Sequence, residues 1–219
     1  MTHNTPAILW DMDGTIVDSK DCHYHAWLQT LERMGLSLTE EAFLASFGRN
    51  NRRSLPQYLG YEPDEAQFQK IVTEKEALFL DLMLEESHLI RGVESWLTYA
   101  QAHGIPQAVA SSSDPHIISE LLNKFNLTDY FDVIQPGSHL PAKPAPDIFL
   151  MAAEKLGKKP EQCVVVEDSL PGVEGGKNAG MKCVAVTSSF PRAALTLADQ
   201  VVDDYTGPLL PVLQALGLL

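Results

Sequence analysis

Two aspartates one residue apart, Asp11 and Asp13, follow the short apolar run 7–10. The run has the length and composition of a buried β-strand, so both carboxyl groups are predicted at its C-terminal end, before a Gly14-Thr15 turn. In open α/β sheets, ligands bind outside that edge. The two acids therefore indicate a site for a hard cation, a carboxylate nucleophile, or both.

Three later stretches carry polar residues in similar places. They are Ser111-Ser112-Ser113 after a strand predicted over 107–110, Lys143-Pro144 before a predicted helix, and Glu167-Asp168 after a strand predicted over 163–166. Taken singly, each has an ordinary explanation: a helix-capping turn, a solvated lysine, or a surface turn. Because the ends of parallel strands meet at one edge, the four stretches can converge. Together they supply what Mg²⁺-assisted phosphoryl transfer requires, namely carboxylates, a lysine, and hydroxyl and amide donors.

The periodicity of apolar residues divides the chain into two kinds of structure. From about 18 to 86 it predicts only helices: one that ends at Gly35, a short one capped by Thr39 that ends near Gly48, one around 55–59, and a long one opened by Pro63. A loop is predicted over 48–51. The remainder alternates strand and helix, which indicates an α/β fold with a mainly parallel sheet. We therefore predict a core of 1–17 plus 88–219, with 18–87 inserted as a helical domain.

Composition and charge narrow the class of protein. The chain has 219 residues, and 16 Lys and Arg against 29 Asp and Glu give a net charge of −13. This balance argues against binding to nucleic acid or to an anionic membrane surface. Three widely spaced cysteines without metal-ligand spacing, and no signal-peptide or membrane-spanning pattern, favour a cytoplasmic location.

The four stretches resemble the four motifs of the haloacid dehalogenase-like hydrolase superfamily. The matching residues are Asp11-Met12-Asp13-Gly14-Thr15, Ser111, Lys143-Pro144 and Glu167-Asp168. The resemblance covers essentially the whole chain, and the helical insertion is similar to the C1 cap of the phosphatase and phosphomutase branch. It implies a Rossmann-like catalytic core with a helical cap domain.

The resemblance implies a role for each motif residue. Asp11 is expected to be the nucleophile that becomes an aspartyl-phosphate, and Asp13 the general acid and base. Ser111 and Lys143 are expected to hold the transferring phosphoryl group and to neutralise its charge. The other phosphate-binding residues implied are Gly14, Thr15, Ser112 and Ser113. The Mg²⁺ ligands implied are Asp11, the backbone carbonyl of Asp13, Glu167 and Asp168, with Asp168 the stronger expectation of the last two.

The cap is expected to select the substrate, with His23, Arg49, Asn51 and Lys75 as candidate contacts. Each has an ordinary alternative: a surface histidine, a solvated arginine, or a lysine that only offsets its acidic neighbours. The stretch 23–27 is similar to the first cap helix of β-phosphoglucomutases, where a histidine bears on the acid/base aspartate. Those mutases also use an arginine in the cap loop. Asn51 occupies the matching position, which argues against mutase activity.

The sequence thus predicts a Mg²⁺-dependent phosphatase that acts on a small phosphorylated metabolite such as a sugar phosphate. The first alternative is a phosphomutase of the β-phosphoglucomutase kind, and the second is a catalytically silent protein that binds a phosphometabolite. The expected partner is the small-molecule substrate alone, with no nucleic acid or membrane. The chain is expected to be a monomer or a weak homodimer.

Overall fold

The computed structural model describes residues 5–47 and 49–219. The start of the predicted core segment and the predicted helix end at Gly48 lie outside these residues. The strands are β1 (Ala7–Trp10), β2 (Val17–Asp18), β3 (His88–Leu89), β4 (Gln107–Ser111), β5 (Val133–Pro136), β6 (Cys163–Glu167), β7 (Lys182–Val186) and β8 (Gln200–Val202). The helices are α1 (Lys20–Glu32), α2 (Glu40–Leu44), α3 (Asn51–Leu59), α4 (Glu65–Glu86), α5 (Val93–Ala102), α6 (Pro115–Lys124), α7 (Asp147–Lys155), α8 (Leu170–Asn178) and α9 (Leu209–Ala215).

Six strands form one parallel sheet in the order β5-β4-β1-β6-β7-β8. The first strand lies in its middle, with Leu9 in register with Ala108 of β4 on one side and Val165 of β6 on the other. The strand order reverses at this position, which is where α/β sheets open a crevice for ligands. The α/β fold with a parallel sheet is therefore confirmed.

Alternate residues of β1 enter two separate cores on the two faces of the sheet. Ile8 and Trp10 pack into a cluster with residues of α5, α6 and α9, whereas Ala7 and Leu9 pack with residues of α7 and α8. All four are fully buried. This double burial explains why the strand reads as a continuous apolar run, and it fixes the position of the aspartates that follow.

Helices α1 to α4 form the predicted insertion between β2 and β3. Trp27, Leu31, Leu55 and Phe68 belong to a separate apolar cluster, distinct from the two cores of the sheet. The long helices α1 and α4 pack against each other. The Thr39 side chain caps α2 by accepting a hydrogen bond from the Ala42 amide, as predicted. None of the helices among the described residues is long and apolar enough to cross a bilayer.

The structure corrects several predicted boundaries. The sequence predicts a loop at Asn51, but the Asn50 side chain accepts a hydrogen bond from the Arg53 amide, so α3 begins at Asn51. Similarly, Asp64 caps α4, so the long helix begins at Glu65 rather than at Pro63. The antiparallel pair β2–β3, in which Val17 faces Leu89 and Asp18 faces His88, was not predicted.

Candidate active site

The predicted core residues converge on the C-terminal edge of the sheet. Asp11 follows β1 and is 6% exposed, and its amide donates to the Val166 carbonyl of neighbouring β6 at 2.9 Å. Ser111 ends β4 on the other side and is fully buried. Glu167 ends β6, and Asp168 follows it. Three adjacent strands therefore bring together residues that are far apart in the sequence.

Lys143 lies between two carboxylates of this edge. Its Nζ is 2.5 Å from Asp11 Oδ1 and 2.7 Å from Glu167 Oε1, and the side chain is buried. Burial alone would lower the pKa of Lys143, but the charges of Asp11 and Glu167 outweigh it and raise the pKa above the usual lysine value. The lysine is therefore a permanent positive charge beside the predicted nucleophile.

Glu167 braces the turn that follows β6. Its Oε2 accepts hydrogen bonds from the Asp168 amide at 2.9 Å and from the Ser169 amide and hydroxyl at 2.8 Å each. A side chain at Gly172 would overlap the same carboxylate, so the glycine allows this close approach. Both carboxylate oxygens of Glu167 therefore accept hydrogen bonds, Oε1 from Lys143 and Oε2 from the turn. Ser169, which helps to hold Glu167, was not among the predicted site residues.

Three buried carboxylates can hold a cation here. Oxygens of Asp11, Glu167 and Asp168 lie within 4.8 Å of one another. Thr15 donates to Asp168 Oδ1 at 3.2 Å, while the buried Oδ2 has no hydrogen-bond partner among the described residues. Lys143 supplies one positive charge against three carboxyl groups. This donor set fits a divalent cation bound by oxygen.

Burial controls the charge of the predicted nucleophile. Desolvation raises the pKa of Asp11 to about 8, because it outweighs the opposing charge of Lys143, and Glu167 and Asp13 add to the rise. Burial, together with the negative charges of Glu167 and Asp11, raises the pKa of Asp168 well above its usual range. Lys143 alone does not outweigh burial, so ionisation of Asp11 at neutral pH requires further positive charge, which a cation bound at this site would supply.

Gly14 brings the backbone against Asp168. Its φ of 78° lies in the left-handed region, and a Cβ built there would overlap the Asp168 carboxylate. The Ser188 hydroxyl donates to the Gly14 carbonyl. Only glycine fits both the conformation and the space at this turn.

Asp13 faces the cap instead of the carboxylate cluster. Its Oδ2 accepts from the Ser113 hydroxyl at 2.9 Å, and its Oδ1 lies 3.4 Å from His23 Nε2. Burial would raise the pKa of Asp13, but the charge of the nearby His23 and the hydrogen bond from Ser113 outweigh burial and lower the pKa to about 2. The two acids therefore differ in environment, as their predicted roles require. Ligation by the Asp13 carbonyl stays a prediction.

His23 connects Asp13 to the helical insertion. Its ring stacks on Phe79 at 3.8 Å between centroids, and its Nδ1 lies 3.1 Å from Lys75 Nζ. Burial and the charge of Lys75 lower the pKa of His23, although Asp13 opposes this. His23 is therefore neutral at neutral pH, and its charge acts on Asp13 only in more acidic solution.

A cavity separates the core edge from the cap. The core contributes Asp11, Asp13, Ser112 and Ser113. The cap contributes His23, Trp27, Phe43, Ser46, Phe47, Arg49, Asn50, Asn51, Ser54, Tyr58 and Glu76. Three of the four predicted cap contacts are thus in the lining. The fourth, Lys75, is 1% exposed and lies behind His23, where it also contacts Glu76 at 3.1 Å.

Most of the cap residues that line the cavity were not predicted from the sequence. Glu76 stood out only as one of two acids flanking Lys75, and Ser46 and Tyr58, which hydrogen-bond each other through their hydroxyls, gave no signal. Trp27 is 3% exposed and belongs to the apolar cluster of the inserted helices, yet it also borders the cavity. The helical period that predicts α4 could have flagged Glu76, because it places that residue near the buried Phe79 face.

Comparison with known proteins agrees with this arrangement. The family model described as haloacid dehalogenase-like hydrolase matches residues 8–186. The chain is 33% identical over 184 residues to fructose-1-phosphate phosphatase YqaB of Escherichia coli K12, covering 82% of this chain and 95% of that protein. It is also 33% identical over 181 residues to a phosphorylated carbohydrates phosphatase of Thermotoga maritima, covering 80% and 82%. The crystal structure of a β-phosphoglucomutase from Clostridium difficile superposes with a TM-score of 0.88 at 25% identity, covering 97% of both chains.

The chain therefore belongs to the haloacid dehalogenase-like hydrolase family. Within it, the inserted helices place the chain in the C1-capped subfamily IA, related to β-phosphoglucomutases and sugar-phosphate phosphatases. It is a phosphatase of this family, that is, a phosphoric monoester hydrolase.

Proposed function

We propose that this chain hydrolyses a small phosphorylated metabolite, with a sugar phosphate as the preferred class, through an aspartyl-phosphate on Asp11 and with Mg²⁺ as cofactor. The observation that carries the proposal is the placement of Asp11. It contacts Lys143 at 2.5 Å, shares a carboxylate cluster with Asp168, and lines the cavity beneath the cap.

In the first step, an Asp11 oxygen attacks phosphorus, and the bond from phosphorus to the substrate oxygen breaks. Lys143 neutralises charge on Asp11 and on the phosphoryl oxygens. Ser111 and the amides of Ser112 and Ser113 hold the phosphoryl group at the edge of β4. Mg²⁺, when bound by Asp11 and Asp168 with Glu167 supporting the site, supplies the charge that orients and neutralises the phosphoryl group.

Asp13 moves the proton in both steps. Its low pKa leaves it ionised in the free protein, and the negative charge of a bound phosphate raises that pKa so that the group can carry a proton. Asp13 protonates the leaving oxygen as the ester bond breaks. It then accepts a proton from the water that attacks the phosphorus of the aspartyl-phosphate, which restores Asp11 and releases inorganic phosphate.

The substrate class is proposed from the relatives and from the lining. Two relatives at 33% identity are named for fructose 1-phosphate and for phosphorylated carbohydrates, and a third, at 29%, is hexitol phosphatase B of Escherichia coli. Hydroxyl and amide side chains line the cap half of the cavity, including Ser46, Asn50 and Asn51. Such groups suit a polyhydroxyl compound.

A release assay with a panel of sugar, polyol, nucleotide and glycolytic monophosphates tests the proposal. We expect Mg²⁺-dependent release of inorganic phosphate, with the highest kcat/KM among sugar or polyol phosphates. Highest turnover of a nucleotide phosphate would contradict the substrate class. No release from any compound would favour the catalytically silent alternative.

The phosphomutase remains the second candidate, because of the close superposition with the Clostridium difficile mutase. Incubation with glucose 1-phosphate and its 1,6-bisphosphate separates the two activities. We expect phosphate release to exceed formation of glucose 6-phosphate. Glucose 6-phosphate formed without phosphate release would overturn hydrolysis in favour of the mutase.

A further inference from the structure

Glu76 of α4 places a carboxylate in the cap lining. Its Oε1 accepts hydrogen bonds from Asn51 Nδ2 at 2.6 Å and from Lys75 Nζ at 3.1 Å. Its Oε2 is buried and has no hydrogen-bond partner among the described residues. One oxygen is thus held in place by the cap, and the other is an unpaired acceptor on a residue that lines the cavity.

Glu76 carries a negative charge at neutral pH. Burial alone would raise its pKa, but the charge of Lys75, the hydrogen bond from Asn51 and the proximity of His23 outweigh burial and lower it. The side chain is 21% exposed, so its field is only partly screened by solvent. Its free oxygen is therefore a strong acceptor of hydrogen bonds from hydroxyl groups.

Lys75 offsets part of the Glu76 charge from behind the lining, but the lining itself supplies little further positive charge. Among the described lining residues, three side chains are carboxylates, namely Asp11, Asp13 and Glu76, and the permanent cation is Arg49, which is exposed. Lys75 lies behind His23 and is already engaged by Glu76. A second phosphate on the substrate would meet Glu76 without an excess of positive charge in the cap.

We propose that Glu76, oriented by Asn51 and Lys75, is a specificity-determining residue that binds hydroxyl groups of a monophosphorylated polyhydroxyl substrate and disfavours substrates with a second anionic group. This inference rests on the proposed function and deepens it. A carboxylate in this position gives specificity by repulsion as well as by attraction, because it lowers the affinity for the wrong ligand. It also disfavours the bisphosphate that a mutase must hold.

The test compares initial rates of phosphate release from fructose 1-phosphate and fructose 1,6-bisphosphate. Glu76→Gln keeps the shape of the side chain and removes the charge. We expect the preference in kcat/KM for the monophosphate over the bisphosphate to fall about tenfold, the order of effect of one partly buried charge. Glu85→Gln removes the same charge from an exposed position on the same helix, and we expect it to leave the preference unchanged.

Asn51→Arg provides a second variant should Glu76→Gln fail to fold. An arginine at this position can pair with Glu76 and neutralise its charge while the carboxylate stays in place. The preference in kcat/KM for the monophosphate should therefore also fall. Glu76→Asp, which retains the charge, should stay closer to the wild-type preference than Glu76→Gln.

Two results would overturn the inference. One is an unchanged preference in both Glu76→Gln and Asn51→Arg. The other is an equal loss of kcat/KM by Glu76→Gln on both fructose phosphates and on p-nitrophenyl phosphate, which would assign Glu76 to the support of Lys75 and His23. Failure of the proposed function looks different, because the wild-type chain would then release no phosphate from any of the three compounds.

Discussion

The two sides of the cavity each contain a buried lysine, and the two lysines have different surroundings. On the core side, Lys143 contacts two carboxylates at 2.5 and 2.7 Å. On the cap side, Lys75 contacts His23 and Glu76 at 3.1 Å each, and its Nζ lies 4.5 Å from the Phe79 ring centroid. The core lysine neutralises groups proposed to react, whereas the cap lysine contacts two groups that line the cavity.

The difference extends to the proton on His23. An ammonium group can only donate, so His23 Nδ1 must accept the hydrogen bond from Lys75. In the neutral ring, the proton then lies on Nε2 and faces Asp13. The cap side thus positions a donor against the acid/base candidate, while the core side holds the proposed nucleophile, Asp11. We infer that substitutions on the core side mainly remove chemistry, and those on the cap side mainly change selectivity.

The largest effect is expected from Asp11→Asn. An amide cannot serve as the nucleophile, so kcat should fall by at least about 10⁴-fold. The circular dichroism spectrum should match that of the wild type, because the amide has the same shape. Activity within about tenfold of wild type would remove Asp11 from the nucleophile role and would weaken the distinction between the two sides.

The paired variants Lys143→Met and Lys75→Met test the comparison directly. Loss of Lys143 leaves Asp11 and Glu167 buried without their cation, so we expect a decrease of about 3 kcal/mol in the free energy of unfolding and at least about 10²-fold in kcat. Loss of Lys75 should cost about 1–2 kcal/mol, because its acidic partner Glu76 is partly exposed. Urea unfolding and steady-state kinetics measure both.

The separate effects of the two lysine variants on kcat and on KM distinguish a role in chemistry from a role in substrate binding. We expect Lys75→Met to raise KM more than it lowers kcat, and Lys143→Met to do the reverse. Equal changes in both parameters for both variants would show that the two lysines are equivalent. The comparison of core and cap would then be wrong.

Metal binding should release protons on the core side. Burial raises the pKa of Asp11 to about 8 and that of Asp168 well above its usual range, so without metal these carboxyl groups bind protons more readily than free carboxyl groups do. A divalent cation favours the ionised forms, so Mg²⁺ binding at pH 7 should release protons, and fewer at pH 9. Calorimetry in two buffers of different ionisation enthalpy measures the number.

Asp168→Asn should lower this proton release and raise the Mg²⁺ concentration needed for activity. Chelation should abolish phosphate release, and added Mg²⁺ should restore it. Binding that is independent of buffer would contradict protonated carboxyls at the site. As the cap-side control, Glu76→Gln should release as many protons as wild type.

The smallest effects concern two helix caps, one on each side. Thr39 caps α2 in the cap, and Ser169 caps α8 beside the site. Either change to Ala should cost about 1 kcal/mol of unfolding free energy. Ser169→Ala also removes a donor to Glu167, so it should weaken Mg²⁺ activation several-fold, whereas Thr39→Ala should not. Equal Mg²⁺ dependence in both variants would count against the bracing role of Glu167.

The core of the molecule was predictable from sequence because its signals are local. The strands predicted over 7–10 and 163–166 are short apolar runs, and the convergence of the polar residues that follow them is a consequence of the geometry of parallel sheets. The convergence of Asp11, Ser111 and Glu167 needed only that rule. Cys163 and Cys183, which begin two such runs, are buried.

The cap side could not be predicted to the same depth. Contacts such as Lys75 with His23 join residues 52 positions apart on two helices, and the helical period gives the face of each helix but not their relative rotation. The two-residue strands β2 and β3 are too short to show a period. Asn50 caps α3, so Asn51 is helical. From sequence alone, a Gly-Arg-Asn-Asn stretch equally predicts a loop, because Gly and Asn are common in turns.

The pairing of β2 with β3 brings together the two connections between the core and the inserted helices. Asp18, where the chain leaves the core, lies directly opposite His88, where it returns. The proposed insertion, residues 18–87, therefore begins and ends at neighbouring points of the structure. A different helical insert needs only to begin and end at neighbouring points, and the sheet edge that carries Asp11 keeps its own strand partners. We therefore infer that helical insertions of different sequence can connect to the core through this pair of strands without changing the strand partners of β1.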